Sequence, residues 1–186
     1  MEIDINQKKI SIGDKYQIFT DGQQTHFATR GLLQLLAEIN LFEKNTVDKA
    51  RMTINKRFTL FKAKYDITRL DNNILNFRTK SYWKSYYQCQ CGDDTYDIFG
   101  HRGRKYSIYK NNIQVGWWDK KAVTWFAGDN YKIIADKDCD VNLIISFCLI
   151  VDNFSRNNHD GNAVTYDFGN IGFQAKKFDE TWQPKY

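Results

Sequence analysis

The feature that most constrains the fold of this chain is an apolar run, VNLIISFCLIVD, which extends from Val141 to Asp152. Only Asn142 and Ser146 interrupt it, and they lie four positions apart, on one face of a helix. A surface helix would alternate apolar and polar residues, so the run predicts a helix buried on nearly every side, at about residues 140–153. A strand is the alternative, because Ile and Val favour strands, but a continuous apolar run of this length fits a helix better.

The run is also too short to cross a membrane, since its length as a helix is about 18 Å and a span needs roughly 20 residues. The segment from Met1 to Asp14 has no apolar region typical of a signal peptide. We therefore expect one soluble, cytoplasmic domain over residues 1–186, with no transmembrane span. In that compartment the cysteines are expected to be free thiols: Cys89, Cys91, Cys139 and Cys148.

Most of the remaining chain consists of short apolar and aromatic runs separated by turn signals such as Asp21-Gly22 and Asn111-Asn112. Residues 31–37 form either one helical turn or an apolar connection. The tail that contains Trp182 is expected to pack outside the fold. The predicted strands are 15–20, 25–29, 38–42, 49–55, 58–61, 64–70, 74–79, 86–90, 95–99, 105–110, 113–118, 122–126, 131–135 and 163–168.

A Tyr-x-Ile element recurs in five of these segments, beginning at positions 16, 65, 96, 106 and 131. Side chains two positions apart lie on the same face of a strand, so each Tyr and Ile should face inward together. A sheet of this size has two edges to pair, and the apolar helix needs to be surrounded. Both requirements are met if the sheet closes. We therefore predict a mainly β protein: a closed antiparallel barrel of about 12 strands around a central hydrophobic helix near the C-terminus.

The meander, followed by an acidic turn and a hydrophobic helix, resembles the tubby C-terminal-like fold shared by tubby domains, phospholipid scramblases and plant LURP-one-related proteins. It is most similar to small bacterial LURP-one-like proteins, over about residues 14–170. The residues that carry the resemblance are KYDI at 64–67, FRT at 77–79, YDIFGHRG at 96–103, YSI at 106–108, VGWW at 115–118 and DNY at 129–131.

The resemblance implies the barrel fold, and it suggests a ligand class without assigning an activity. Tubby domains bind phosphoinositides through basic side chains, and scramblases associate with membranes and calcium. Neither the membrane-inserting segment nor the cysteine-rich palmitoylation sites of the scramblases can be placed in this chain, so lipid translocation is not expected.

Basic residues supply the candidate anion site. The formal net charge is +5, and residues 44–64 contain seven basic residues against one acidic residue, Asp48. A turn at residues 101–105, HRGRK, combines a glycine with arginines that could grip a phosphate, although a solvated hairpin tip has the same composition. The candidate ligand-binding residues are Arg102, Arg104, Lys105, Lys56 and Arg57.

Metal sites are weaker candidates. Cys89 and Cys91 share one face of a strand and His101 could approach them, but structural zinc sites usually take four ligands. Three aspartates at alternate positions, Asp136, Asp138 and Asp140, have a calcium-loop spacing that lacks the Gly and Glu of an EF-hand. They are better explained as partners of the helix N-terminus, with Asp140 as the N-cap, although a calcium ion near them is not decided by the sequence.

No cysteine, serine or histidine stands in a recognisable nucleophile context, so we predict neither an enzyme nor a cofactor. Two functions remain. The first is a non-catalytic binding domain that recognises anionic lipid headgroups or another phosphorylated ligand through a basic barrel surface. The second is a structural or protein-interaction barrel, suggested by aromatic residues expected on the surface. A nucleic-acid partner is not expected. The residues that favour the second function are Trp117, Trp118, Trp125 and Trp182.

Overall fold

The computed structural model describes residues 1–10, 13–31, 36–46, 48–59, 62–121, 130–157 and 174–185. In these ranges it has one α-helix, α1, at Val141–Asn157, and a single 3₁₀ turn at Arg102–Arg104. The strands are β1 Glu2–Ile10, β2 Gly13–Thr20, β3 Gln23–Arg30, β4 Glu38–Glu43, β5 Met52–Lys56, β6 Lys64–Arg69, β7 Ile74–Ser81, β8 Tyr86–Cys91, β9 Asp94–His101, β10 Lys105–Lys110, β11 Ile113–Lys121 and β12 Asn130–Ala135.

The twelve strands form one closed antiparallel barrel. Each strand pairs with the next one along the chain, and β1 closes the ring by pairing with β12, with Glu2 opposite Ile134. Closure leaves no sheet edge to be covered. The predicted fold class, a closed antiparallel barrel with a central helix, is confirmed.

Helix α1 lies at the centre of the barrel, and it is one turn longer than the sequence predicts. Its residues from Leu143 to Phe154 are buried, and they form one core with inward-facing side chains of the strands. Phe147 packs between the rings of Phe77 and Tyr96, with centroid distances of 5.8 and 5.5 Å. In the part of the chain described, no helix is long and apolar enough to span a membrane.

The Tyr-x-Ile elements face inward, as predicted. Tyr16, Tyr65, Tyr96 and Tyr131 are buried, and each is followed on the same face by a fully buried isoleucine. The fifth tyrosine, Tyr106, is half-buried and stacks on Trp118 at 4.9 Å. The repeat therefore marks the inner face of five strands.

Several local predictions need correction. Strand β1 was not predicted, and Phe58 and Thr59 lie in a connection instead of a strand. Strand β5 begins at Met52, three residues later than predicted, because the preceding residues form turns. The predicted strands at 122–126 and 163–168 lie outside the described residues, as does most of the apolar segment 31–37.

Because consecutive strands are antiparallel, successive connections lie at alternate ends of the barrel. The β5–β6, β7–β8 and β9–β10 connections share one end with the β1–β2, β3–β4 and β11–β12 connections. We call the first three of these connections the basic rim: residues 56–59, 62–64, 78–85 and 102–105. The other end, the opposite rim, carries residues 43–46, 48–51, 69–73, 91–94, 110–112 and 136–140. Helix α1 begins at the opposite rim and ends near the basic rim, where Phe154 meets the ring of Tyr82 at 6.5 Å.

Candidate functional site

The basic rim carries positive charge without compensating carboxylates of its own. Its segments hold ten basic residues and no acidic residue. Within the described residues, one of the ten has an ion-pair partner: Arg57, whose Nε donates to Asp66 Oδ2 at 2.6 Å. The ten residues are Lys56, Arg57, Lys62, Lys64, Arg78, Lys80, Lys84, Arg102, Arg104 and Lys105.

The opposite rim differs because carboxylates accompany its cations. Its segments contain acidic and basic residues in similar numbers. Three side-chain ion pairs hold them together at 2.7 to 2.8 Å. The pairing of Lys110 with Asp94 lowers the pKa of the Asp94 carboxyl and raises the pKa of Lys110. The pairs are Arg51 with Glu43, Arg69 with Asp140, and Lys110 with Asp94.

The 3₁₀ turn presents Arg102 and Arg104 to solvent. Gly103 and Arg104 both have positive φ, 77° and 64°, a conformation that glycine adopts without strain. Just before the turn, His101 is buried, and its Nε2 lies 2.7 Å from Ser107 Oγ. The two strands are thereby tied together directly below the exposed arginines.

A groove of about 500 Å³ runs between this turn and the C-terminal segment 174–185. Phe178 forms its apolar wall: the ring meets the His101 ring at 5.2 Å and the Trp117 ring at 5.7 Å. Lys105 Nζ lies 5.1 Å from the Phe178 centroid, which is a cation–π contact. The residues that line the groove are His101, Arg102, Lys105, Gln174, Lys177, Phe178 and Glu180.

Burial lowers the pKa of His101, so its imidazole is mostly neutral near neutral pH. The positive charge of the groove therefore comes from Arg102, Lys105 and Lys177, and the carboxylate of Glu180 offsets part of it. The groove suits an anion that is planar or carries an apolar part, because its wall is aromatic.

The C-terminal segment lies against the outer face of the barrel, as predicted for the tail. Lys176 Nζ lies 3.5 Å from the Tyr109 ring centroid. Trp182 Nε1 donates to Gln114 O at 3.2 Å, and the Lys185 amide donates to Asp136 Oδ1 at 2.6 Å. The segment thus runs from the basic rim to the opposite rim.

The five predicted anion-binding residues all lie at the basic rim, but in two places. Arg102, Arg104 and Lys105 lie where β9 passes into β10, whereas Lys56 ends β5 and Arg57 follows it, four strands away from β9 in the sheet order. Burial and the nearby Arg30 lower the pKa of Lys56. The basic residues at these two places contribute to the same positive electrostatic field, but they do not line one common pocket.

The candidate metal ligands are separated. Cys89 is buried inside the barrel, where burial raises the pKa of its thiol to about 12, and His101 is engaged by Ser107. Cys91 Sγ accepts a weak hydrogen bond from Arg69 at 3.5 Å. All four cysteines are free thiols, as expected. Within the described residues, no group of three or more His, Cys, Asp and Glu side chains could hold a metal ion.

The three aspartates before the helix have three different surroundings. Asp140 caps α1, because its Oδ1 accepts from the Leu143 amide at 3.1 Å, and its Oδ2 accepts from Arg69 at 2.7 Å. Asp136 is buried and binds the Lys185 amide, whereas Asp138 is exposed. The predicted N-cap is confirmed.

A buried polar cluster near the helix C-terminus was not predicted. The carboxylate of Asp152 accepts from the hydroxyls of Tyr16, at 3.1 Å, and Tyr131, and Lys120 Nζ lies 3.9 Å from it. The neighbouring Asn153 accepts from Tyr65 OH at 2.9 Å. The three tyrosines belong to Tyr-x-Ile elements, so the repeat itself was the available signal: an inward tyrosine hydroxyl needs a partner.

Among the described residues, the most exposed aromatic side chains are not those that the sequence suggested. Trp118 is only 1% exposed and faces inward, and Trp117 and Trp182 are half-buried beside the C-terminal segment. Trp125 lies outside the described residues. In the described ranges, the exposed aromatic side chains are those of Phe58 and Trp83, at 77% and 63%.

Comparisons of the chain with protein-family models, with curated proteins and with solved structures find no match. The resemblance to tubby-like and LURP-one-related proteins therefore stays a prediction that rests on the residues quoted for it.

Proposed function

We propose that this protein is a non-catalytic binding domain that recognises an anionic, phosphate-bearing ligand at its basic rim. The observation that carries the proposal is the contrast between the two rims: three neighbouring connections at one end hold ten basic residues and no acidic residue, whereas the opposite rim holds acidic and basic residues in similar numbers and has three ion pairs. Structural barrels need solvated lysines, but they have no need to collect unpaired cations at one end.

The physical basis is the field that such a cluster creates. Like charges placed at one end of a small barrel raise the local concentration of anions, and salt screens this attraction over a distance of about 8 to 10 Å. The ligand is either the headgroup of an anionic lipid or a free phosphorylated molecule, since both present the same oxygen atoms to arginine and lysine.

The groove beside the 3₁₀ turn offers a contact point for a phosphate group within this rim. Arg102 can offer paired N–H donors to two phosphate oxygens, and Lys105 and Lys177 supply further charge from the two sides. Phe178 provides an apolar wall. The negative charge of Glu180 opposes anion binding. Removal of this carboxylate should therefore strengthen binding, whereas removal of a basic residue should weaken it.

Binding to vesicles and to a soluble phosphate separates the two ligand sources. Vesicles of phosphatidylcholine, with and without phosphatidylserine, are sedimented with the protein over a series of salt concentrations, and pyrophosphate binding is measured by calorimetry. We expect binding to at least one anionic probe, weakened by salt, and none to neutral vesicles. Equal binding to neutral vesicles, or no binding to any probe, would contradict the proposal and favour the protein-interaction barrel.

Variants locate the binding on the rim. Changing Arg102, Arg104 and Lys105 together to Ser should weaken binding by tenfold or more, since each basic residue near an anionic surface contributes about 1 kcal/mol. The matched control removes three exposed lysines at or beside the opposite rim: Lys44 and Lys49, which belong to it, and Lys185, whose amide binds Asp136, all to Ser. Glu180→Gln should strengthen the binding of pyrophosphate, because it removes the carboxylate from the groove.

A further inference from the structure

Two connections of the basic rim each expose a large aromatic side chain. Phe58, between β5 and β6, is 77% exposed, and Trp83, between β7 and β8, is 63% exposed. Large aromatic side chains usually contribute to the core, and this chain buries Trp118 almost completely. Two such side chains exposed at neighbouring tips of one rim make these tips a candidate contact surface.

The two connections are held together by a pair of hydrogen bonds between Ala63 and Thr79. The Ala63 amide donates to Thr79 Oγ1, and the Thr79 amide donates to the Ala63 carbonyl, both at 2.8 Å. Tyr82 connects the second tip to the core, because its ring meets both the Trp83 ring at 6.1 Å and the Phe154 ring at 6.5 Å. The two aromatic residues thus stand on one joined platform.

Cations surround both tips. Phe58 follows Lys56 and Arg57 directly, and Trp83 precedes Lys84. Lys62, Lys64, Lys80 and Lys84 are all exposed, and no acidic residue occurs at positions 56–64 or 78–85. Lysines are depleted at protein–protein interfaces, whereas lysines beside Trp and Phe are typical of surfaces that meet anionic bilayers.

We propose that this platform docks onto the surface of an anionic bilayer, with Phe58 and Trp83 inserted among the lipid headgroups and the exposed lysines around them in contact with lipid phosphates. The inference rests on the proposed function, of which it selects one ligand source: the membrane surface in preference to a free phosphate. Aromatic rings favour the boundary between headgroups and acyl chains, and lysines can bury their stems there while the ammonium groups stay in water.

The opposite rim supplies a natural comparison. Ile74 and Ile113, the first residues of β7 and β11, are 56% and 59% exposed beside it, next to a turn that contains Asp71 and next to the Lys110–Asp94 pair. Apolar exposure is thus similar at both ends, but the segments of the basic rim hold cations without any carboxylate, whereas those of the opposite rim hold carboxylates and cations in similar numbers. The combination, and not apolar exposure alone, is what fits an anionic bilayer.

The first experiment measures affinity for phosphatidylserine-containing vesicles by sedimentation. Phe58→Ala combined with Trp83→Ala should lower the affinity by tenfold or more, because two aromatic side chains no longer leave water on binding. Pyrophosphate binding, which uses charge alone, should be unchanged. Ile74→Ala combined with Ile113→Ala is the matched control and should leave vesicle affinity within twofold of the original protein.

The second experiment measures insertion directly. Vesicles that carry brominated acyl chains quench tryptophan fluorescence at short range. The original protein and a Trp182→Phe variant should be quenched equally, since Trp182 lies on the outer face toward the opposite rim. Trp83→Phe, which preserves an aromatic ring at the tip, should lose most of the quenching while it still binds.

The outcomes separate this inference from the proposed function. If the Phe58 and Trp83 variants bind phosphatidylserine vesicles as well as the original protein does, or if the protein binds pyrophosphate but no vesicles, the docking platform is wrong and the anion-binding rim stands. Quenching that persists in Trp83→Phe also overturns the platform. If neither vesicles nor pyrophosphate bind, both proposals fail.

Discussion

Helix α1 carries a carboxylate near each end, and the barrel surrounds the two differently. At the opposite rim, Asp140 is half-exposed, caps the helix and pairs with Arg69. Toward the basic rim, Asp152 is fully buried as a side chain and accepts from the hydroxyls of Tyr16 and Tyr131. One carboxylate thus belongs to the helix terminus, and the other belongs to the interior of the barrel.

This difference teaches how the helix is fixed in its place. An apolar helix inside an apolar barrel could slide or turn at little cost, because hydrophobic packing has no direction. Hydrogen bonds at both ends have direction, and a buried acceptor that loses its donors costs free energy. The cap sets where the helix begins, and the tyrosine cluster sets how it is rotated. Each of the following variants tests one part of this comparison.

The largest effect is expected in the apolar middle of the helix. Phe147→Ala should lower the free energy of unfolding by roughly 3 to 5 kcal/mol, because burial is lost and the closed ring of strands cannot collapse into the cavity. Chemical denaturation measures the change. A loss as small as that of the neighbouring Ser146→Ala would place the helix on the surface.

The buried carboxylate should come next. Asp152→Ala should cost about 3 kcal/mol, since the hydroxyls of Tyr16 and Tyr131 lose their acceptor inside the barrel. Tyr16→Phe alone should cost about 1 kcal/mol, and it should cost almost nothing in the Asp152→Ala background. Additive losses in denaturation would show that the hydroxyl and the carboxylate act independently.

The exposed carboxylate should matter less. Asp140→Ala should cost about 1 to 2 kcal/mol through the lost N-cap, with the partly exposed ion pair to Arg69 adding little. Asp138→Ala, two residues earlier and exposed, is the control and should change stability by less than about 0.5 kcal/mol. If Asp140→Ala costs as much as Asp152→Ala, the two ends of the helix are anchored alike.

The smallest effect is expected within the helix itself. Ser146 Oγ donates to the Asn142 carbonyl at 2.7 Å, and that carbonyl belongs to the same helix. Ser146→Ala should therefore cost about 1 kcal/mol or less, because it breaks a local bond and leaves no strand group unpaired. A cost above about 2 kcal/mol would show that the hydroxyl takes part in fixing the helix to the barrel.

The central fold could be predicted because the signals that set it are local. The apolar run gives the helix, turn residues such as Asn111 and Asn112 give the hairpins, and Tyr-x-Ile gives the inner face. Strand β1 escaped prediction because only Ile3 and Ile5 alternate before a polar stretch, NQKK. The segment forms a strand because it pairs with β12, more than a hundred residues away along the chain. The local periodicity of apolar residues gives no indication of so distant a pairing.

The candidate site was harder to predict from the sequence than the fold was. The residues Arg102, Arg104 and Lys105 could be chosen by composition, but the groove beside them depends on where the segment 174–185 packs. Trp118 looked like a surface residue because a tryptophan pair gives no indication of which ring faces inward. Phe58 looked like part of a strand because apolar and aromatic residues favour both strands and exposed tips.

The central position of α1 also has a consequence for the order of events during synthesis. On the ribosome, all twelve strands emerge before the helix that they surround, and β1 waits for β12 before the ring can close. Pairings so distant along the chain are slow to form, and unpaired strands with apolar faces are open to aggregation meanwhile. Helix α1, which fills the barrel, is synthesised after the strands that surround it. The nascent barrel therefore has to stay open until the helix has emerged.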